Sequence, residues 1–180
     1  MKPLISLHDA VFTRLEQANW LLPTLARFLF AAVLLVYFLN SGLTKIGDGV
    51  SGLWTPSVGA YAQIFPRVLE EAGYDTDALG LFHRLVVLAG TWAEFILPAL
   101  IVVGLLTRLA AFGMIGFIAV QSLTDIYGHG QGSALGAWFD RFPDAIIMDQ
   151  RALWVFLLCV LVIKGAGPLS FDRALKRRAA

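Results

Sequence analysis

Cysteine is nearly absent. Cys159 stands alone in 180 residues, so an intramolecular disulfide is excluded, no Cys-x-x-Cys pair exists, and the chain cannot shuttle electrons through its own thiols. A single thiol inside an apolar run reads as packing. Charge is scarce too: charged residues make up 15% of the chain and leave a net charge of +1. That offers no basic surface to a polyanion, so nucleic acid is not expected as a partner. There is no Gly-x-Ser-x-Gly elbow, no Walker loop and no Ser-His-Asp signature. Without a haem or flavin motif the chain has no self-contained electron carrier. Neither a soluble domain nor an internal repeat is visible. The first nineteen residues hold Lys2, His8, Asp9, Arg14 and Glu16, and no apolar core begins before about Trp20. A cleavable signal peptide is therefore not expected.

What the chain has in abundance is apolar length. Hydrophobic residues make up 58% of it and the mean hydropathy is +0.72, which places it among multi-pass membrane proteins. The expectation is all-α: an integral membrane four-helix bundle forming one domain over residues 1–180, with spans at about 21–43, 83–105, 108–127 and 147–166. The last apolar core, Ala152 to Ile163, is short for a span. Arg151 and Lys164 can snorkel at its two ends and complete it. Residues 46–80 form a long outer loop in which Pro66 is placed to open a short helix carrying Val68, Leu69 and Ala72 inward. Charge selects four spans over three. Arg14, Arg108 and the basic tail 170–180 (Arg173, Lys176, Arg177, Arg178) then share one side, which the positive-inside rule makes cytoplasmic, together with both termini. The setting implied is the bacterial inner membrane. Before the first span, Leu4, Val11, Phe12 and Leu15 recur at helical spacing. That suits either an amphipathic segment on the membrane or a polar tail.

Glu94 is the residue that calls for an explanation. It lies inside the longest apolar run, Leu85 to Leu106, twenty-two residues of which it carries the one formal charge. A carboxylate at a helix centre in the bilayer costs about 2.5 to 3.5 kcal/mol on insertion scales. Pro98, four residues on, lacks the N–H that would bond Glu94's backbone carbonyl. Something polar must meet this turn: an internal cation, water or a ligand. Arg27, entering the first span from its start, is one counter-ion in reach.

Other polar residues converge at the outer half of the bundle. The first span ends with Asn40, Ser41, Thr44 and Lys45; the second begins with His83 and Arg84; the third ends with Gln121 and Asp125, followed by His129. Gln121 and Asp125 share a helix face, and Lys45 with Asp125 is a possible clamp. Candidate catalytic residues are Glu94, Lys45 and Asp125. Candidate ligand-binding residues are Arg27, Asn40, Lys45, Arg84, Glu94 and Gln121. His83, His129 and Asp125 are the metal-ligand candidates. Gly104, Gly113 and Gly116, with Ala110 and Ala111, are small residues of the kind that lets membrane helices approach closely.

The order of these marks resembles the DoxX family of small four-helix membrane proteins. Arg27 opens the first span, and SGLTKIGD (Ser41 to Asp48) resembles the family's Gly-x-x-Lys end of that helix. Glu94 follows in the second span, then GLLTRLAA (Gly104 to Ala111), QRALW (Gln150 to Trp154) and GAGPLSFD (Gly165 to Asp172). The resemblance spans about residues 24 to 175. The long stretch 46 to 80 and the loop Gly128 to Gly130 depart from it; that loop is similar to a branch found beside genes for small metal-binding peptides. The resemblance implies a redox-linked membrane component: members are associated with sulfur-compound oxidation delivering electrons to quinone, with thiol-redox complexes and with copper-stress gene sets. Three readings follow from it. One is a quinone-binding or anchoring subunit for a partner oxidoreductase, with Glu94 handling protons and Lys45 or Arg27 steadying an oxyanion. The second is a metal-stress accessory or transporter-like protein using the outer His and Asp groups. The third is a structural scaffold. The partners implied are the lipid bilayer and a protein partner or second copy. The cofactor is left open, with quinone ahead of a metal.

Overall fold

The computed structural model describes residues 2–179; Met1 and Ala180, the ends of the expected domain, lie outside them. All of the regular structure among the described residues is helical. Helix α1 (Lys2–Gln17) precedes the first long helix, α2 (Leu21–Leu43). The short helices α3 (Val58–Ile64) and α4 (Pro66–Glu71) occupy the following loop. Three further long helices are α5 (Leu81–Val103), α6 (Thr107–Gly128) and α7 (Ile146–Lys164), and α8 (Phe171–Ala179) closes the chain. The four long helices are long and apolar enough to cross a membrane. At most 28% of any of their apolar windows is buried within the bundle, so most of that surface needs lipid. The protein is a multi-pass membrane protein.

Helix boundaries follow local chemistry. Pro23 sits in the first turn of α2, where a missing N–H costs nothing. Gly104 ends α5 at φ +77°, the left-handed conformation that glycine adopts freely. With Leu106 it turns the chain straight back into α6. Ala26, Phe30, Leu34 and Phe38, four residues apart, form the buried stripe of α2. They meet Ile101 of α5, Ala110, Ala111, Met114 and Ile118 of α6, and Leu158 and Leu161 of α7. Each long helix packs on the next, and α7 returns to α2, giving a closed four-helix ring. One end of the ring carries the tight α5–α6 turn (the hairpin end); the other carries the two long connections (the loop end).

The long connection is folded. Ser57 caps α3 by accepting from Ala60 N at 3.2 Å, and Pro66 opens α4. Ala60, Tyr61 and Leu69 bury against Val87 of α5. Leu69 is the residue of α4 that is fully buried, whereas Val68 and Ala72 are only half-buried. Burial pushes the Tyr61 phenol above its ordinary range, against the opposing field of Arg84. Ser57 N donates to Lys45 O at 3.0 Å, and Trp92 Nε1 donates to Leu53 O at 3.1 Å. Helices α3 and α4 are thereby fixed over the loop end of α2 and α5.

Candidate functional site

Glu94 is 2% exposed and Lys45 5%. The Lys45 Nζ stands 3.0 Å from both carboxylate oxygens of Glu94. Ser41 completes the group: its Oγ donates to Glu94 Oε1 at 2.9 Å and accepts from Lys45 Nζ at 2.8 Å. Lys45 lies just past the last residue of α2 and turns back beside Ser41, one turn earlier. A close approach makes room: a Cβ on Gly42 would stand 2.6 Å from the Phe95 ring. The charge demanded by Glu94 is therefore supplied, with hydrogen bonds, by the opposite end of the helix from Arg27.

Arg27 is not the partner of Glu94. Its guanidinium donates to the carbonyls of Ile101 (3.2 Å), Val102 (2.6 Å), Ala166 (2.7 Å) and Leu169. Two of these acceptors are at the C-terminal end of α5, where a helix leaves carbonyls unpaired. Asp172 reinforces this node by accepting from Leu106 N at 2.8 Å and Thr107 N at 3.0 Å. Burial pushes the Asp172 carboxyl up, but the hydrogen bonds from Thr107 and Leu106, with the field of Lys176, hold it below its ordinary value of 3.8. The segments Gly104 to Arg108 and Gly165 to Asp172, distant in sequence, meet around one arginine.

Lys45 and Asp125 do not clamp one another either. Asp125 pairs with Arg151, whose Nη1 also donates to Ser122 Oγ at 2.9 Å. That node ties α6 to α7 where both helices widen into π-helical turns, Thr124–Gly128 and Ile146–Arg151. Wide turns of this kind are frequent at functional sites.

The Lys45–Glu94 pair stands on the wall of a cavity of about 450 Å³ between α5 and α6. Leu97 and Gly113 mark its hairpin end, where a Cβ on Gly113 would stand 3.3 Å from the Leu97 side chain. One turn further, a Cβ on Gly116 would meet nothing within 4 Å. The two helices thus diverge toward the loop end as a wedge. Gln63, Ile64 and His129 line its far end. There His129 Nε2 lies 3.0 Å from Gln63 O, and Gln63 Nε2 donates to Thr44 Oγ1 at 3.1 Å. Ala89, Gly116 and Val120 line the cavity and are themselves exposed. They lie well inside the spans, so the cavity opens sideways, toward lipid.

Of the candidate residues, Lys45, Glu94, Gln121, Asp125 and His129 line this one cavity. Arg27, Asn40 and Arg84 do not, because Arg27 caps backbone at the hairpin end and Asn40 and Arg84 are exposed elsewhere. His83 is also apart, its ring against Phe65 and Phe82 at centroid distances of 4.9 and 5.6 Å. Among the described residues no three His, Cys, Asp or Glu side chains converge on a metal position. Gly116 stands in open space beside the cavity, where helix contact was expected; Gly113 does pack closely against Leu97, and Ala110 and Ala111 pack in the core. Gln63 was missed, and nothing in its local sequence marks it. Ser41 could have been singled out by its spacing of four from Lys45.

The arrangement offers a nearly water-free ammonium–carboxylate pair at the side of an apolar slot. Gln121 adds an acceptor: its Nε2 donates to Tyr37 Oη at 2.9 Å, while its buried Oε1 has no partner. No curated protein and no solved structure matches the chain. The DoxX family model matches residues 22–124, a segment that contains Ser41, Lys45, Glu94 and Gln121. Covering more than half of the 180 residues, this match establishes that the chain belongs to the DoxX family.

Proposed function

We propose that this protein is a redox-linked membrane component that binds a quinone in the cavity between α5 and α6. The observation that supports this reading best is the cavity's sideways opening through Ala89, Gly116 and Val120, which admits a ligand from lipid. Its volume of about 450 Å³ falls among pockets that hold small molecules. A quinone has matching anatomy, a flat ring with polar oxygens and an apolar tail. Lys45 donates a hydrogen bond to a ring oxygen; Glu94 holds that ammonium and exchanges a proton with it. The free Oε1 of Gln121 accepts from a ring hydroxyl. Asp125 and His129, at the loop end of the cavity, connect it to water. Bound there, a quinone would supply the two-electron chemistry that the chain's own side chains lack. The electrons then come from a partner protein.

Arg14, Arg108, Arg173 and Lys176 all belong to the hairpin end, so the positive-inside rule puts that end and both termini in the cytoplasm of a bacterial inner membrane. A metal-handling role draws less support, since only Asp125 and His129 of its three candidates share the cavity.

A photoreactive quinone analogue tests the reading in purified protein. Labelled peptides are expected from α5 and α6 around Ala89, Gly116 and Val120, competed by unlabelled quinone. Gly116→Phe, which places a ring in open space, should abolish the label while the protein stays folded. Label spread over the lipid-facing surface, or unchanged in Gly116→Phe, would overturn the proposal.

A further inference from the structure

A second, unrelated cavity lies at the hairpin end. It measures about 400 Å³ and is walled by the start of α2, the end of α7 and the first turns of α8. Three cations face it: Lys164, the last residue of α7, and Arg173 and Lys176 of α8. All three side chains are exposed, and none makes an ion pair among the described residues. The carboxylate of Asp172 also borders the cavity, yet both of its oxygens already accept the Leu106 and Thr107 N–H groups. It remains an anion one turn from Lys176, so three cations stand against one engaged carboxylate.

Location narrows the ligand. Lys164 ends a span, and Trp20, which also lines the cavity, immediately precedes one and is half exposed. Tryptophan and lysine at span ends mark the headgroup level of a bilayer. Leu22 and Leu25, just inside α2, expose apolar surface below it; Phe171 and Leu175 do the same on one stripe of α8. A ligand placed here has its polar part among cations and its apolar part along helices that face lipid.

We propose that this cavity is a binding site for the phosphodiester headgroup of an anionic phospholipid. Lys164, Arg173 and Lys176 hold the phosphate, and the acyl chains descend past Leu22 and Leu25. A zwitterionic headgroup brings its own cation into a site that already has three, and is bound less well. Free phosphate carries no chains to use the apolar flank. The site is separate from the α5–α6 cavity, so it stands whether or not a quinone binds there.

The test uses the full chain in detergent micelles. Retention of phosphatidylglycerol, phosphatidylcholine and inorganic phosphate is measured by native mass spectrometry and by the rise in Tm on addition. Phosphatidylglycerol is expected to be retained and to raise Tm in wild type, with phosphatidylcholine and inorganic phosphate doing neither. Lys164→Gln with Lys176→Gln should weaken the affinity by about fivefold for each cation removed. Arg177→Gln with Arg178→Gln removes the same amount of charge from the neighbouring tail outside the cavity and should leave it unchanged. Equal losses in the two double variants would mean diffuse attraction without a site. Wild-type binding of phosphatidylcholine or free phosphate as tight as that of phosphatidylglycerol would overturn the proposal without reliance on any variant.

Discussion

Lys45 and Glu94 show how a buried charge finds its partner. Each is costly alone at this depth, and breaking such a pair costs about 3 to 5 kcal/mol in protein interiors. Glu94→Leu and Lys45→Met should therefore each destabilise the protein strongly, while the double variant recovers much of the loss. The double-mutant cycle should give a coupling of about 1 kcal/mol or more. The corresponding cycle of Arg27→Ala with Glu94→Leu should be additive within about 0.5 kcal/mol, because Arg27 bonds other groups. Detergent-phase unfolding followed by circular dichroism measures both cycles. A coupled Arg27–Glu94 cycle would contradict the geometry. The sequence made Glu94's need for a partner plain but misdirected the choice. Depth in the bilayer brings Arg27 within apparent reach of Glu94, yet its long side chain points to the helix-end carbonyls of Ile101 and Val102. Those lie about 10 Å along α5 from Glu94, at 1.5 Å per residue.

The hydrophobic pattern made the four long helices legible, each to within a few residues, because a bilayer demands long apolar runs. The short helices of the outer loop were less so. Pro66 signalled α4, whereas α3 is too short for a period to declare itself, and Gln63 at the cavity came with it unannounced. Glycine roles were equally hidden. Gly116 resembles a packing residue in sequence as Gly113 does; Gly113 packs against Leu97, while the divergence of α5 from α6 makes Gly116 the edge of an opening. Gly104 has a different task. It sits at φ +77°, and a Cβ there would stand 2.6 Å from Ser170 Cβ and 3.1 Å from the Arg27 guanidinium. Gly104→Ala should thus destabilise the fold by more than about 1 kcal/mol through backbone strain and crowding, whereas Gly116→Ala, in open space, should leave Tm nearly unchanged. A Tm for Gly104→Ala equal to wild type would refute the assigned turn.

Across the whole molecule, polar nodes fasten an otherwise greasy ring. Arg27 and Asp172 close the hairpin end, Arg151 and Asp125 join α6 to α7 near the loop end, and Lys45 with Glu94 joins α2 to α5 beside the cavity. Motifs spread along the sequence from Arg27 to Asp172 thereby meet mostly at one of two ends. Helix α1 stands apart. From Leu4 to Gln17 its side chains are exposed, with Leu4, Val11, Phe12 and Leu15 on one stripe, the form of a helix that lies on a membrane. The proposed orientation rests on the basic hairpin end. Reporter fusions after Ala180 should register as cytoplasmic and fusions between Gly128 and Gly136 as periplasmic. A periplasmic C-terminus would invert the bundle and place the lysine–glutamate cavity nearer the cytoplasmic surface.

The central claim, that the α5–α6 cavity takes a lipid-soluble redox ligand, is tested most directly by what the protein carries out of its own membrane. The wild-type protein and Gly116→Phe are purified from native membranes under mild detergent, and the organic extract of each is analysed by mass spectrometry. The account predicts a quinone at a fixed, near-integral ratio to wild-type protein and its loss from Gly116→Phe. Equal quinone in both preparations, or none in wild type that also fails to bind added quinone, would contradict it.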